Sequence, residues 1–270
     1  MRSSDVILRC IDVRKAFGGV VAVDVDHLEV DRRSITALIG PNGAGKTTLF
    51  DVITGFVAPD SATIDFDGID ISSKPAFAIA RRGLVRTFQL TRILGKMTVL
   101  ENMLLAAPDQ IGESVQNTFF RRKAIARQDA VNQAKAIDLL DRFSILPLVN
   151  EYAGKLSGGQ KKLLELARAL MTDPTLVLLD EPMAGVNPAL AEQLLKYVLE
   201  LRDDGMTFLF VEHDMDVVMR ISDRVVVMGA GVIIADGSPA EIRTDPAVQA
   251  AYLGEHPEDD LAAAEEEVEP

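Results

Sequence analysis

Nine residues, GPNGAGKTT at Gly40–Thr48, limit most strongly what this 270-residue chain can fold into. They follow a short apolar run, ITALI at residues 35–39, and lead into LFDVI, whose apolar spacing suits a helix. Strand, glycine loop and helix in that order match the pattern G-x-x-x-x-G-K-[ST], a turn that aims backbone N–H groups at phosphate oxygens. Gly40, Pro41, Asn42, Gly43, Ala44 and Gly45 make the loop. Lys46 brings positive charge to the β- and γ-phosphates, the Thr47 hydroxyl is placed to ligate Mg²⁺, and Thr48 reaches the α-phosphate side. The loop implies a nucleoside triphosphate and a buried strand ahead of it, which belongs to α/β architecture.

The remaining pattern agrees. VILRCIDV, VVAVDVDHLEV and ATIDFDG alternate apolar and polar residues, as half-exposed antiparallel strands do. From about residue 76 to 146 the chain is more polar and helical, with Ile137, Leu140 and Phe143 at helical spacing. TLVLLD (Thr175–Asp180) and TFLFVEH (Thr207–His213) are almost wholly apolar, with a helix expected over Pro188–Arg202 between them. Apolar strand, helix, apolar strand predicts a parallel sheet covered on both faces. VVVMGAGVIIADG reads as a hairpin around Gly229–Gly231. The expectation is one domain over residues 1–254, an α/β nucleotide-binding core with a helical insertion near residues 87–160.

Charge and hydropathy remove several function classes. The net charge is −13, and residues 255–270 hold eight acidic and no basic residues, so the rest carries −5. That segment is expected to be a solvated tail. The acidic balance argues against a nucleic-acid partner. The first residues lack the uninterrupted apolar core of a signal peptide. No run approaches the ~18 apolar residues of a membrane span, so a membrane role has to work through a partner. Cys10 is the only cysteine, which excludes an intrachain disulfide and suits a reducing compartment.

Three further stretches carry chemistry. Asp180 and Glu181 stand at the C-terminal end of an apolar strand, where open α/β sheets bind ligands. Asp180 can hold Mg²⁺ through water, and Glu181 can polarise a water for attack on the terminal phosphate. His213, just past the next apolar strand, is expected to sense the γ-phosphate. LSGGQ at Leu156–Gln160 opens a helix with two glycines. Glycine there costs helix stability, which points to close approach of the backbone to something. Ser157 and Gln160 also form an S-x-x-Q capping pattern. Leu163, Leu166, Ala167 and Leu170 line one face of the helix behind it.

GPNGAGKTT, Gln89, LSGGQ, LVLLDEP and His213, in that order, resemble the ATP-binding cassette (ABC) ATPases over nearly all of residues 6–254. The resemblance implies a P-loop NTPase (RecA-like) core, an antiparallel β-subdomain and an inserted helical subdomain. It implies ATP and Mg²⁺, with Phe17 stacking on adenine unless it is an ordinary packed aromatic. It implies that Gln89 joins the Mg²⁺ site to a transmembrane partner. It also implies that Leu156, Ser157, Gly158, Gly159 and Gln160 bind the γ-phosphate of ATP held by a second subunit; helix capping by Ser157 is compatible with this.

FGGVVAV, RTFQLTRILGKMTVLENMLLA, DEPMAGVNPAL, VEHDM and AYLGE look like the ATP-binding subunits of branched-chain (hydrophobic) amino-acid importers. Urea/amide importers and the lipopolysaccharide exporter share much of this wording, and a soluble iron–sulfur assembly ATPase fits the length. The importer resemblance implies a peripheral subunit on the cytoplasmic face of the membrane. Its partners would be a second ATPase subunit, as homodimer or heterodimer, two permeases and, indirectly, a solute-binding protein. Phe88, Leu90, Ile93, Leu94, Met97 and Val99 form either the groove for a permease helix or ordinary core. Asn187 stands where the wider family commonly has aspartate.

Overall fold

The computed structural model describes residues 5–87, 93–113, 117 and 121–253. The chain divides into two compact units, one formed by residues 1–76 with 207–270 and the other by residues 77–206.

The first unit begins with two long strands, β1 (Val6–Phe17) and β2 (Val20–Asp31), paired antiparallel through the turn at Gly18–Gly19. β1 also pairs antiparallel with β4 (Ser61–Phe66), which pairs with the short β5 (Ile69–Asp70). Alternation holds in stretches: Leu8 and Cys10 of β1 are buried, the phase then slips by one residue at Asp12 (φ of 51°) so that Val13 is buried, and β2 likewise buries Val23 and Val25 and then Leu28 and Val30.

β3 (Ile35–Ile39), buried at every position, pairs in parallel with β8 (Thr207–Val211) on one side and β9 (Arg224–Gly229) on the other. β9 turns at Ala230–Gly231 into β10 (Val232–Gly237), which is the expected hairpin. Helix α1 (Lys46–Ile53) follows the glycine loop and buries Leu49, Phe50, Val52 and Ile53.

The second unit holds two parallel strands, β6 (Leu84–Arg86) and β7 (Leu176–Asp180). Among the described residues its α-helices are, in chain order, α2 (Ala76–Ala80), α3 (Val99–Leu105), α4 (Arg122–Arg142), α5 (Gly158–Leu170) and α6 (Pro188–Asp203). The first unit closes with α7 (Met215–Ile221), α8 (Pro239–Thr244) and α9 (Pro246–Leu253).

Local chemistry explains where these helices start. Thr98 with Glu101, Ser157 with Gln160 and Ser238 with Glu241 each form a reciprocal capping box, satisfying two backbone donors apiece. Asn187 caps α6, its side-chain oxygen accepting from the Leu190 amide at 3.0 Å, and Pro188 follows at the first helical position. On α5 the expected face is buried as Leu163, Leu166, Ala167 and Leu170. On α4 the expectation holds only in part. Leu139 and Leu140 are buried and Phe143, just past the helix end, packs edge-on against Tyr197, whereas Ile137 is 38% exposed. Spacing alone placed Ile137 with Leu140 and Phe143, but the helix turns it away from that contact.

Candidate functional site

In the first unit the glycine loop is shaped by its surroundings. Gly40 and Gly45 have φ of 143° and 99°, values that disfavour a side chain. A Cβ on Gly40 would overlap the Met228 carbonyl oxygen on β9, and one on Gly45 would overlap the Ala22 carbonyl oxygen on β2. The Gly231 amide donates to the Ala44 carbonyl at 3.0 Å, and the Asp24 amide donates to the Gly231 carbonyl at 2.8 Å. The loop is therefore clamped from the β9–β10 turn and from β2, and neither contact is readable from GPNGAGKTT itself. Lys46 Nζ donates to the Pro41 carbonyl at 2.9 Å and also to the Gly40 carbonyl. Gly45 caps α1 without a side-chain acceptor, so amides of the first turn keep the donor role that suits an anion. Asn42, Gly43 and Thr47 are exposed, and Pro41 and Thr48 are half-buried.

The parallel register sets His213 beside this loop in level. Leu38 of β3 is partnered by Val211 of β8, so Gly40 and His213 each stand two residues beyond a matched pair, on the same strand-end edge. The His213 side chain is 69% exposed, with Nδ1 3.9 Å from Glu212 Oε2. Phe17 ends β1 half exposed, with Lys15 Nζ 5.3 Å from its ring centroid. A ring that open is a surface platform rather than a packed core aromatic.

In the second unit, Asp180 ends β7 at 5% exposure and Glu181 follows it. Glu181 has φ of 45°, a left-handed backbone that costs a non-glycine residue about 1–3 kcal/mol and that it shares with turn residues such as Arg33 and Asp67. Lys162 on α5 fixes that turn by donating to the Glu181 carbonyl at 2.8 Å. Arg86, the last residue of β6, donates from Nη2 to Asp180 Oδ2 at 2.7 Å. Lys162 and Arg86 were missed in the sequence. They lie 19 and 94 residues from their partners, and no motif marks them.

LSGGQ divides between two jobs. Leu156 is buried, and Ser157 caps α5: its Oγ accepts from the Gln160 amide at 3.3 Å while Gln160 Oε1 accepts from the Ser157 amide at 2.9 Å. Gly159 is buried beneath Leu190. A Cβ there would overlap Leu190 Cδ2 and lie 3.0 Å from its Cγ and 3.3 Å from Val186 Cγ1. Gly158 is exposed, its nearest neighbour for a Cβ being the Gly185 carbonyl at 3.8 Å. Of the two glycines, only Gly159 is required by packing inside the chain.

Gln89, Phe88 and Leu90 lie outside the described residues. Of the remaining apolar set, Val99 is buried core, Ile93 and Met97 are half-buried, and Leu94 is 42% exposed. The wholly buried Asn102 holds this loop: its Oδ1 accepts from the Leu94 amide at 2.9 Å and its Nδ2 donates to the Thr98 carbonyl at 2.9 Å. Among the described residues no group of three or more His, Cys, Asp or Glu could hold a metal unaided. The Asp180 carboxylate is a hard oxygen donor of the type that Mg²⁺ takes, singly or in pairs, when it arrives with phosphates.

Comparison with known proteins adds an independent line. A family model described as "ABC transporter" matches residues 23–184, and one described as "Branched-chain amino acid ATP-binding cassette transporter" matches residues 232–258. A probable branched-chain amino acid transport ATP-binding protein, LivG, from Methanocaldococcus jannaschii is 42% identical over 94% of this chain and all of its own length. The high-affinity branched-chain amino acid transport ATP-binding protein BraF from Pseudomonas aeruginosa is 40% identical over 92% of this chain and 98% of its own. Among solved structures, a nucleotide-free ATP-binding cassette from an ABC transporter superposes with a TM-score of 0.79 at 41% identity, covering 92% of this chain and 98% of its own. The ADP conformation of such a cassette also gives 0.79 at 41% identity, over 92% and 99% of the two chains.

Proposed function

The chain belongs to the ABC transporter ATP-binding family, and from that premise we propose that it is the ATP-hydrolysing subunit of an importer for branched-chain amino acids. The observation that carries the solute class is the pair of full-length likenesses at 40–42% identity, together with the match over residues 232–258.

The residue roles follow from chemistry. Loop amides and Lys46 hold the phosphates, and Phe17 offers its exposed ring to adenine. Thr47, Asp180 and Gln89 would hold Mg²⁺, which supplies charge neutralisation on the phosphates when bound. Glu181, on its strained and Lys162-anchored turn, orients and polarises the attacking water. His213 donates a ring N–H to a γ-phosphate oxygen. Ser157, Gly158 and Gln160 present donors at a helix N-terminus to the γ-phosphate bound by a second ATPase subunit, so that ATP closes a pair of subunits and hydrolysis reopens it.

Two permeases and a solute-binding protein complete the assembly in this reading, with the chain on the cytoplasmic face. No helix among the described residues is long and apolar enough to cross a membrane, so the subunit would attach through the permeases. Leu94, exposed on a loop pinned by Asn102, is the best-placed apolar contact for a permease helix.

The test is uptake into proteoliposomes carrying the complete complex, with leucine, isoleucine, valine and urea as competing solutes. ATP-dependent uptake of the three amino acids supports the reading, and uptake of urea alone refutes it.

A further inference from the structure

The pairing of Arg86 with Asp180 does more than balance charge. β6 and β7 run parallel with Arg86 matched to Leu178, and the Thr87 amide donates to the Leu178 carbonyl at 2.9 Å. This register fixes the guanidinium at the level from which it reaches two residues farther along β7. The two side chains are 5% and 6% exposed, and the strand around Asp180, Leu176–Leu179, is wholly apolar and buried.

A carboxylate in such surroundings needs a partner, and arginine offers a rigid planar fork rather than a mobile point charge. The torsion of an aspartate carboxylate is otherwise broad. A guanidinium bond at 2.7 Å holds Oδ2 in place and leaves Oδ1 as the remaining acceptor.

We propose that Arg86 is a positioning residue for the Mg²⁺ site: it holds one oxygen of Asp180 so that the other is presented to the metal. This rests on the reading of Asp180 as a metal-holding residue. Partners that orient metal-binding carboxylates typically change metal affinity about 10–100-fold when removed. Arginine suits the place because its planar guanidinium is pre-organised and loses less freedom in holding that oxygen than the flexible ammonium of lysine.

The test uses the full chain with Mn²⁺ as the probe. Mn²⁺ affinity in the presence of ATP is read by electron paramagnetic resonance, and metal-free binding of a fluorescent ATP analogue is read in chelator. Arg86→Met is expected to keep metal-free nucleotide affinity and to lose about 10–100-fold in Mn²⁺ affinity. In an Asp180→Asn background, where neither charge remains buried, Arg86→Met is expected to add no further loss, because it acts through the carboxylate.

Wild-type or tighter Mn²⁺ affinity in Arg86→Met, or an equal further loss in the Asp180→Asn background, overturns the proposal. If Arg86→Met does not fold, Arg86→Lys decides: a lowered Mn²⁺ affinity supports the proposal and an unchanged one overturns it. Wild-type Mn²⁺ affinity in Asp180→Asn alone would remove the assignment of Asp180, whereas a loss there with none in the Arg86 variants removes only the role of Arg86.

Discussion

Gly158 and Gly159 are adjacent, belong to the same first turn of α5, and look equivalent in the sequence LSGGQ, yet the structure separates them sharply. Replacing glycine by alanine in a helix gains about 0.5–1 kcal/mol from reduced backbone entropy, and that gain is common to both sites. At Gly158 the new methyl meets only the Gly185 carbonyl at 3.8 Å, an ordinary contact. At Gly159 it overlaps Leu190 Cδ2 and stands 3.0 Å from Leu190 Cγ and 3.3 Å from Val186 Cγ1. These lie well inside the ~3.5–4.0 Å optimum for carbon pairs. Leu190 has to rotate off α5, and overpacking of this kind costs about 1–3 kcal/mol.

The shared helix gain cancels in the comparison, so Gly159→Ala should be about 1–3 kcal/mol less stable than Gly158→Ala. Urea unfolding of the purified subunit measures this as a shift in midpoint at unchanged slope. Adding Leu190→Ala removes the obstructing branch, so the double variant should recover part of the loss relative to the sum of the single changes. Equal stability of the two alanine variants would refute the reasoning, and Gly159 would then have to be explained by a ligand rather than by Leu190.

Other outcomes follow from the same geometry. Ser157→Arg should leave ATP binding by the isolated subunit unchanged and lower dimer-dependent hydrolysis at least about tenfold, as loss of an interface anchor does; activity that survives excludes the cross-subunit role. Leu94→Ser should spare basal ATP hydrolysis and lower uptake by the reconstituted complex about tenfold. Coupled transport at the wild-type rate contradicts its place in the permease contact. Cys10 is fully buried, and burial pushes its thiol up to about 12, so the neutral, unreactive form holds well above neutral pH. Labelling by a thiol reagent at pH 8 should therefore track urea unfolding, and rapid labelling of the native protein would contradict the packing of β1.

Much of the architecture was legible because local pattern and burial agree. The apolar runs at β3, β7 and β8 were placed to within one or two residues, since wholly buried parallel strands leave no polar interruption. The Ser157–Gln160 cap was visible because both partners lie within four residues. What stayed hidden depends on pairs distant in sequence. Arg86 meets Asp180 only because β6 and β7 are neighbours, and Leu190 covers Gly159 only because α6 packs on α5. The glycines suggest close approach of the backbone to another group, and on the Cβ side of Gly159 that group is the chain's own Leu190. Likewise the clamp on the glycine loop comes from Met228, Gly231 and Ala22, far from it along the chain. The strained backbone at Glu181 has no sequence signature, because glutamate in a left-handed conformation is set by its surroundings.

The central claim is that this chain hydrolyses ATP with Glu181 acting on the attacking water. Glu181→Gln keeps the shape of the side chain and removes its basicity, so turnover measured by phosphate release is the direct test. The account predicts a fall of about 10²–10⁴-fold, with ATP still bound and the two-subunit state trapped in size-exclusion chromatography. Turnover at the wild-type rate in that variant would contradict it.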